Sequence, residues 1–247
     1  MTMAGLSPQG WALLAVGASF LGFSKTAVNG LSMVSVALFA AVLPVRLSTG
    51  TLLLLILVGD VYSVRAYQRH ADWRVLRGLT PSVGVGILAG TWFVSAVDDT
   101  DLRRTIGAVM LTLAVVQTVA RMAPRWRGSG SDRYQTPVLG GLSGFTSMVA
   151  NAGGAFMSIY LLRAGVGVMS FIGTAAWFFF VVNLVKLPLS IMLGLVTVQS
   201  LYVLVALAPL VLAGGWLGRK IAPRLSPRVF EVLVMVFTVL GALNLLR

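Results

Sequence analysis

Apolar stretches of helical length follow one another along almost the whole chain. They cover residues 9–21, 26–43, 47–66, 76–97, 103–120, 137–150, 152–163, 167–188, 198–218 and 229–246. Because a straight bilayer crossing takes about 20 apolar residues, we predict spans at 47–66, 76–97, 103–120, 167–188, 198–218 and 229–246. Only 11% of the residues are charged and mean hydropathy is +0.92, unlike a soluble domain. We therefore expect an all-α, multi-pass membrane protein.

Two regions, residues 9–43 and 137–163, do not fit a single straight crossing. The first contains the polar stretch Gly22–Gly30, and the second contains a similar stretch at Gly144–Gly154. A lysine such as Lys25 costs about 2.5–3.5 kcal/mol at the bilayer centre, so it is not expected in a plain membrane helix. We predict that each region is a broken or re-entrant pair of helices.

The two regions also match one another in sequence. Gly22-Phe23-Ser24 recurs as Gly144-Phe145-Thr146, and Asn29 recurs as Asn151, at a constant spacing (144 − 22 and 151 − 29 both give 122). Further along, the matches are Gly50-Thr51 with Gly173-Thr174, Asp60 with Asn183, and Pro81, Gly86 and Gly90 with Pro209, Gly214 and Gly218. This ordered series favours an internal duplication.

The distribution of Lys and Arg predicts how the halves are oriented. If each interrupted region is one crossing, the basic loops 65–77 and 219–228 lie on opposite sides. If each region returns to the side it entered from, both loops share one face, opposite the acidic segment Asp98–Asp101. Only this second arrangement gives the usual cytoplasmic excess of positive charge. It predicts two inverted repeats, each a broken or re-entrant pair followed by three transmembrane helices.

This topology divides the chain into three parts. Residues 1–120 form the first transmembrane repeat, 121–136 a cytoplasmic linker and 137–247 the second repeat. Both termini are predicted to be extracytoplasmic, in a protein of the cell (inner) membrane. The sequence leaves open whether the protein forms homo-oligomers.

Composition narrows the chemistry further. The chain has no cysteine and one histidine, His70, which leaves no ligand set for a metal or an iron–sulfur cluster. The net charge of +12 is better explained by basic cytoplasmic loops than by nucleic-acid binding. We expect no metal and no other cofactor, and the lipid bilayer and a small solute as the partners.

The breaks supply groups suited to a small anion. Half-helix N-termini carry partial positive charge and free N–H groups, and Lys25 adds a full charge. Lys25 has no counterpart in the second break, where Ser147 aligns with it. The candidate substrate-binding residues are Ser24, Lys25, Thr26, Asn29, Gly30, Thr146, Ser147, Asn151, Gly153 and Gly154. In the bland interpretation the small residues serve helix packing, and Lys25 reaches an interface or pairs with a carboxylate.

Three further polar residues lie within predicted spans. Asp60 is in the third run, and Asn183 and Lys186 are in the corresponding run of the other half. We expect Asp60 and Lys186 either to form an ion pair or to line the pathway, or Asp60 to carry a proton in coupled transport, with Asn183 as the match of Asp60. The sequence does not rank these alternatives.

One enzyme motif is present in the second break. Gly141-Leu142-Ser143-Gly144 reads GxSG, the nucleophile motif of rhomboid intramembrane proteases. A nucleophilic serine needs a base within hydrogen-bond reach. Because His70 is the only histidine and lies in a surface loop, we do not expect a protease.

The chain resembles the sulfite exporter TauE/SafE family. The resemblance rests on the repeat, the two breaks, the loop Tyr67–Arg74, Pro81 and the glycines of Gly84–Gly90, and it extends from about Gly17 to Asn244. At the first break, Ser24-Lys25-Thr26 stands where members typically carry glycines followed by a proline. The resemblance implies an anion permease for sulfite, sulfoacetate or related anions.

We therefore expect a permease, not an enzyme, that exports a small oxyanion or organosulfonate by alternating access. The alternative is a cation- or proton-coupled carrier of another small solute, in which Asp60 binds the cation and Lys25 balances it.

Overall fold

Helices make up nearly all of the chain that the structure describes. The computed structural model describes residues 6–26, 31–122 and 135–221, with residues 239, 242, 243, 245 and 246 near the C-terminus. These residues form nine α-helices of more than one turn. The helices are α1 (Pro8–Thr26), α2 (Leu31–Val42), α3 (Val45–Tyr67), α4 (Trp73–Ala96), α5 (Asp99–Met122), α6 (Gln135–Ala150), α7 (Gly154–Arg163), α8 (Val168–Met192) and α9 (Val198–Ile221).

Four of the described helices are long and apolar enough to cross a membrane. They are α3 with the turn that follows it (Val45–His70), α4, Met169–Met192 of α8, and α9. Four of the six predicted spans are thus confirmed as membrane-length apolar helices. The run 103–120 lies within α5, and the run 229–246 falls almost wholly outside the described residues, so both stay predictions as spans.

The helix ends follow from local chemistry. Asp72 caps α4, because its carboxylate accepts hydrogen bonds from the backbone N–H groups of Arg74 and Val75. At the end of α8, Gly194 adopts φ 68°, and Leu195 N–H donates to the carbonyl of Ser190 at 3.0 Å. This is the glycine-based helix stop that satisfies the last carbonyl groups.

The second predicted break is a real interruption. Helix α6 ends at Ala150 and α7 begins at Gly154. Asn151 adopts φ 52°, a left-handed conformation that asparagine tolerates better than most residues. Its N–H donates to the carbonyl of Ser147 at 3.0 Å, which terminates α6. The asparagine therefore turns the chain out of the helix.

The first predicted break falls between α1 and α2. Helix α1 ends at Thr26 and α2 begins at Leu31. Two of the predicted binding residues, Asn29 and Gly30, lie outside the described residues. At this break the structure therefore describes the flanking helices α1 and α2.

Helices α3 and α8 cross in opposite directions. Near the start of α3, Gly50 lies against the backbone of Leu195, which follows α8. Beyond the end of α3, His70 lies against Gly173, close to the start of α8. The start of α3 thus lies near the end of α8, and the end of α3 lies near the start of α8, so the two helices are antiparallel. Their middles meet at Asp60 and Asn183.

Each broken region packs closely on a helix of the other half. A Cβ atom at Gly22 of α1 would overlap the carbonyl oxygen of Val211 in α9. A Cβ atom at Gly144 of α6 would likewise overlap the carbonyl oxygen of Val83 in α4. Glycine allows the two backbones to approach this closely, as is common between membrane helices. These contacts hold α1 and α6 beside the α3–α8 crossing.

Candidate functional site

An ion pair joins the first break to the centre of α3. Lys25 Nζ lies 2.6 Å from Asp60 Oδ1. The Asp60 side chain is 1% exposed and that of Lys25 is 13% exposed. Lys25 Nζ also lies 5.1 Å from the centre of the Phe179 ring on α8, within reach of a cation–π attraction. Of the positions that the sequence allowed for Lys25, the structure therefore shows the one in which it pairs with a carboxylate.

Asp60 also accepts a hydrogen bond from α8, the helix that crosses α3. Asn183 of α8 donates from Nδ2 to Asp60 Oδ2 at 2.7 Å. Both carboxylate oxygens of Asp60 thus have a donor, one on α1 and one on α8. Burying a carboxylate is costly unless it is paired and hydrogen-bonded, and here both conditions are met.

Lys186 of α8 reaches the second break. Its ammonium donates to the Ser147 carbonyl at 2.5 Å and to Asn151 Oδ1 at 2.8 Å, with Ser147 Oγ at 3.2 Å and Asn183 Oδ1 at 3.3 Å. Lys186 is 1% exposed. The ion pair that the sequence allowed between Asp60 and Lys186 is therefore not direct, since Asn183 lies between them.

These contacts form one continuous network, which we call the polar bridge. It comprises Lys25, Asp60, Asn183, Lys186, Ser147 and Asn151. The amide of Asn151 extends the network back to the first half, because its Nδ2 donates to the carbonyl of Thr49 at 3.1 Å. The polar bridge therefore links the two breaks through the α3–α8 crossing.

The second break holds a positive charge that was not predicted there. In sequence, Ser147 aligns with Lys25, which predicts a charge at the first break alone. In the structure the lysine of the second break comes from α8. Each break therefore has one lysine at the last turn of its first helix, but Lys25 is paired with Asp60 and Lys186 contacts neutral oxygens.

The direction of the helix ends also differs from the expectation. The anion-binding hypothesis relied on half-helix N-termini, yet Lys186 binds the Ser147 carbonyl, in the last turn of α6. A cation is favoured at this C-terminal end by the helix dipole. The N-terminus of α7 lies nearby, since a Cβ on Gly154 would be 3.6 Å from the Phe179 ring. The Phe179 ring thus contacts both this helix N-terminus and Lys25.

Two residues of the site were missed from the sequence. Ser63 of α3 donates from Oγ to the carbonyl of Lys25 at 3.0 Å, and Phe179 contacts Lys25 through its ring. Ser63 has the same spacing to Lys186 as Asp60 has to Asn183 (186 − 63 and 183 − 60 both give 123). This spacing was a usable signal, because both residues bind a carbonyl at the end of a broken helix.

None of the other predicted binding residues that the structure describes joins the polar bridge through a hydrogen bond given for the described part of the chain. Thr26 donates to the carbonyl of Gly215 at 2.8 Å, which ties α1 to α9. Thr146 donates to the carbonyl of Leu142 at 2.7 Å, within its own helix. Ser24 is buried in α1. Gly153 packs on the backbone of Ser143.

The serine of the GxSG motif has a structural bond. Ser143 is 1% exposed, and its hydroxyl donates to the carbonyl of Gly153 at 2.9 Å. This bond closes the second break by tying α6 to the start of α7. His70 lies in an exposed turn, Gln68–His70, at the far end of α3 from Gly50.

The polar bridge contains two lysines and one carboxylate, so its formal charge is +1 when all three groups are ionised. Among the described residues, no group of three or more His, Cys, Asp or Glu lies close enough to hold a metal ion. Lys25 is the more exposed of the two lysines of the polar bridge.

The family model for the sulfite exporter TauE/SafE matches residues 13–245. The match includes both breaks, the α3–α8 crossing and every residue of the polar bridge. No curated protein and no solved structure matches the chain significantly. The resemblance inferred from the sequence is therefore confirmed over most of the chain. The chain belongs to the sulfite exporter TauE/SafE family, whose members are multi-pass membrane transporters and not enzymes.

Proposed function

We propose that this protein moves a small anion, such as sulfite, sulfoacetate or a related organosulfonate or oxyanion. The observation that carries the proposal is the excess positive charge of the polar bridge. A buried lysine is unfavourable in a membrane unless a partner compensates it. A monovalent anion such as hydrogensulfite would bring the formal charge of the polar bridge from +1 to zero, and a dianion such as sulfoacetate would bring it to −1.

Lys25 is the group that meets the substrate. It is the more exposed member of its pair, at 13% against 1% for Asp60. A bound oxyanion takes the place of Asp60 Oδ1 at the Lys25 ammonium, since both are acceptors of charge-assisted hydrogen bonds. Asp60 keeps its second bond, to Asn183, while the anion is bound. The N-terminus of α7, which also contacts Phe179, adds a favourable partial charge.

The transport step is an alternating-access movement of two inverted repeats. Three contacts support this arrangement. The first is the antiparallel crossing of α3 and α8, and the other two are the glycine contact of α1 with α9 and that of α6 with α4. The matching residues Asp60 and Asn183 meet at the crossing. A pseudo-two-fold axis in the membrane plane would pass between them, so the site lies where the repeats move against each other.

We place the protein in the cell (inner) membrane with both termini extracytoplasmic, and the linker 121–136 in the cytoplasm. Export is the direction favoured for an anion in a cell that is negative inside, because the membrane potential drives anions outward. The repeats are then residues 1–120 and 137–247.

Asp60 supports a second candidate, a proton- or cation-coupled carrier of another solute. It is a buried carboxylate within a long apolar helix, and such residues mark ion pathways and proton relays in transporters. In this alternative Asp60 binds the coupling ion and Lys25 balances its charge.

A ligand screen on the purified protein in detergent separates the two candidates. A ligand that binds only the folded state raises the melting temperature. We expect sulfite, sulfoacetate or sulfate to raise it, and neutral solutes such as methanesulfonamide or glycerol to leave it unchanged. Stabilisation by neutral solutes or by cations, with no effect of the anions, would support the alternative carrier. The variant Lys25→Met serves as the control and should lose the anion effect.

A further inference from the structure

Four oxygen atoms surround the ammonium group of Lys186. They are the Ser147 carbonyl oxygen, Ser147 Oγ, Asn151 Oδ1 and Asn183 Oδ1, between 2.5 and 3.3 Å from Nζ. All four are neutral oxygens, and one is a carbonyl at the end of a broken helix. Unwound backbone carbonyls and half-helix C-termini of this kind coordinate monovalent coupling cations in secondary transporters.

The charge of Lys186 is not matched by a carboxylate. Among the described residues, no Asp or Glu oxygen lies within salt-bridge distance of its Nζ. The two oxygens of Asp60 are bonded to Lys25 and Asn183. The ammonium is therefore stabilised by oxygen dipoles and by the C-terminal end of α6, as a bound metal cation would be.

The first break shows that a hydrogen bond to a carbonyl in the last turn of a broken helix does not require a lysine. At the corresponding place on α3, the hydroxyl of Ser63 donates to the Lys25 carbonyl at 3.0 Å. A serine thus suffices for the hydrogen bond. Lys186 adds a buried positive charge that this bond alone does not require.

From these observations we propose that the Lys186 ammonium is a tethered cation, which occupies a site built for a monovalent cation by Ser147, Asn151 and Asn183. The protein carries this cation covalently and has no need to bind one from solution. Removing the ammonium while leaving space behind would create a site for a free alkali cation. The cation site does not depend on the proposed function. Only one consequence rests on that function, namely that anion transport by the wild type would not require Na⁺.

The test uses the full-length variant Lys186→Ser, which places in α8 the residue that α3 carries at Ser63. Its melting temperature is measured in NaCl, LiCl, KCl and choline chloride at equal ionic strength, so that chloride is constant. We expect the variant to melt several degrees below the wild type in choline and to recover saturably with one alkali cation. The wild type should melt at the same temperature in all four salts.

Two control variants define the result. Lys186→Met fills the same space without charge, so it should be destabilised and no cation should restore it. Lys220→Ser removes an exposed lysine that lies over the Trp216 ring and should show no preference among the salts. An equal rise in melting temperature with the same alkali cation in all three variants would overturn the proposal, because it would indicate a general salt effect.

A folded Lys186→Ser protein that melts at the same temperature in all four salts would also overturn it. If this variant cannot be purified, the wild type decides: selective stabilisation by one alkali cation would mean that the site is not filled by Lys186. The anion screen is a separate experiment on the wild type. Its failure would leave the cation result standing, and the reverse also holds.

Discussion

Asn183 donates a hydrogen bond to Asp60 across the crossing of α3 and α8, with 2.7 Å between Nδ2 and Oδ2. The sequence comparison pairs these two residues as equivalents of the two halves. One is a carboxylate and the other its neutral amide, so residues of nearly equal shape differ in charge by one unit. Exchanging them changes the charge of the polar bridge with little change in volume.

Exchanging Asp60 and Asn183 should tune anion binding in both directions. Asp60→Asn removes the carboxylate that competes for Lys25, and we expect anion affinity to rise about tenfold, which corresponds to about 1.4 kcal/mol. Asn183→Asp brings the formal charge of the polar bridge to zero and should weaken binding. Isothermal titration with sulfite or sulfoacetate measures both changes. The double exchange restores the charge and should bind like the wild type; if all three variants bound equally, Asp60 would have a structural role only.

Removing Lys25 should separate transport from folding. Lys25→Met leaves Asp60 without its ion-pair partner, and breaking a buried pair costs about 3–5 kcal/mol in the free energy of unfolding. Lys25→Met/Asp60→Asn has no unpaired charge and should recover most of that loss, measured by denaturation in mixed detergent. Neither variant should carry anions in proteoliposomes. Normal flux through the double variant would exclude Lys25 from the binding site.

The close contact at Gly22 should make it sensitive to a single methyl group. Gly22→Ala places a Cβ against the carbonyl of Val211, and overpacking of this kind costs about 1–3 kcal/mol. Gly84 of α4 is the matched control, because a Cβ there has no described neighbour within 4 Å. Gly84→Ala should be neutral or stabilise by up to about 1 kcal/mol, since alanine is the better helix former. Equal unfolding midpoints for the two variants would contradict the packing of α1 on α9.

The proposed topology can be tested with single cysteines, since the natural chain has none. Arg69 and Lys220 are exposed at the ends of α3 and α9, and Thr100 and Val198 are exposed at the starts of α5 and α9. With α3 and α8 antiparallel, cysteines at 69 and 220 should react with an impermeant thiol reagent from the cytoplasmic side. Cysteines at 100 and 198 should react from the opposite side. Labelling of positions 69 and 220 from different sides would exclude inverted repeats.

Much of this fold was predictable because hydropathy and glycine spacing are local signals. The apolar runs gave four helices of membrane length, and Asn151 marked the end of α6. The partners of the charged residues were not predictable in the same way. Lys186 follows the second break by 35 residues in sequence, and its reach to Ser147 depends on how α8 is rotated and where it crosses α3. Nor could the local sequence of the break indicate that Thr26 and Thr146 bond to backbone carbonyls and not to the polar bridge.

The packing of α1 on α9 sets the order in which the site can assemble during synthesis. Val211 follows Gly22 by 189 residues (211 − 22), whereas Gly144 follows Val83 by only 61 (144 − 83). At about 5–20 residues per second, α1 waits roughly ten to forty seconds for the helix that covers Gly22. Helix α4 waits about a third as long for α6. The second break is therefore expected to be in place before the first, although the ribosome makes it later.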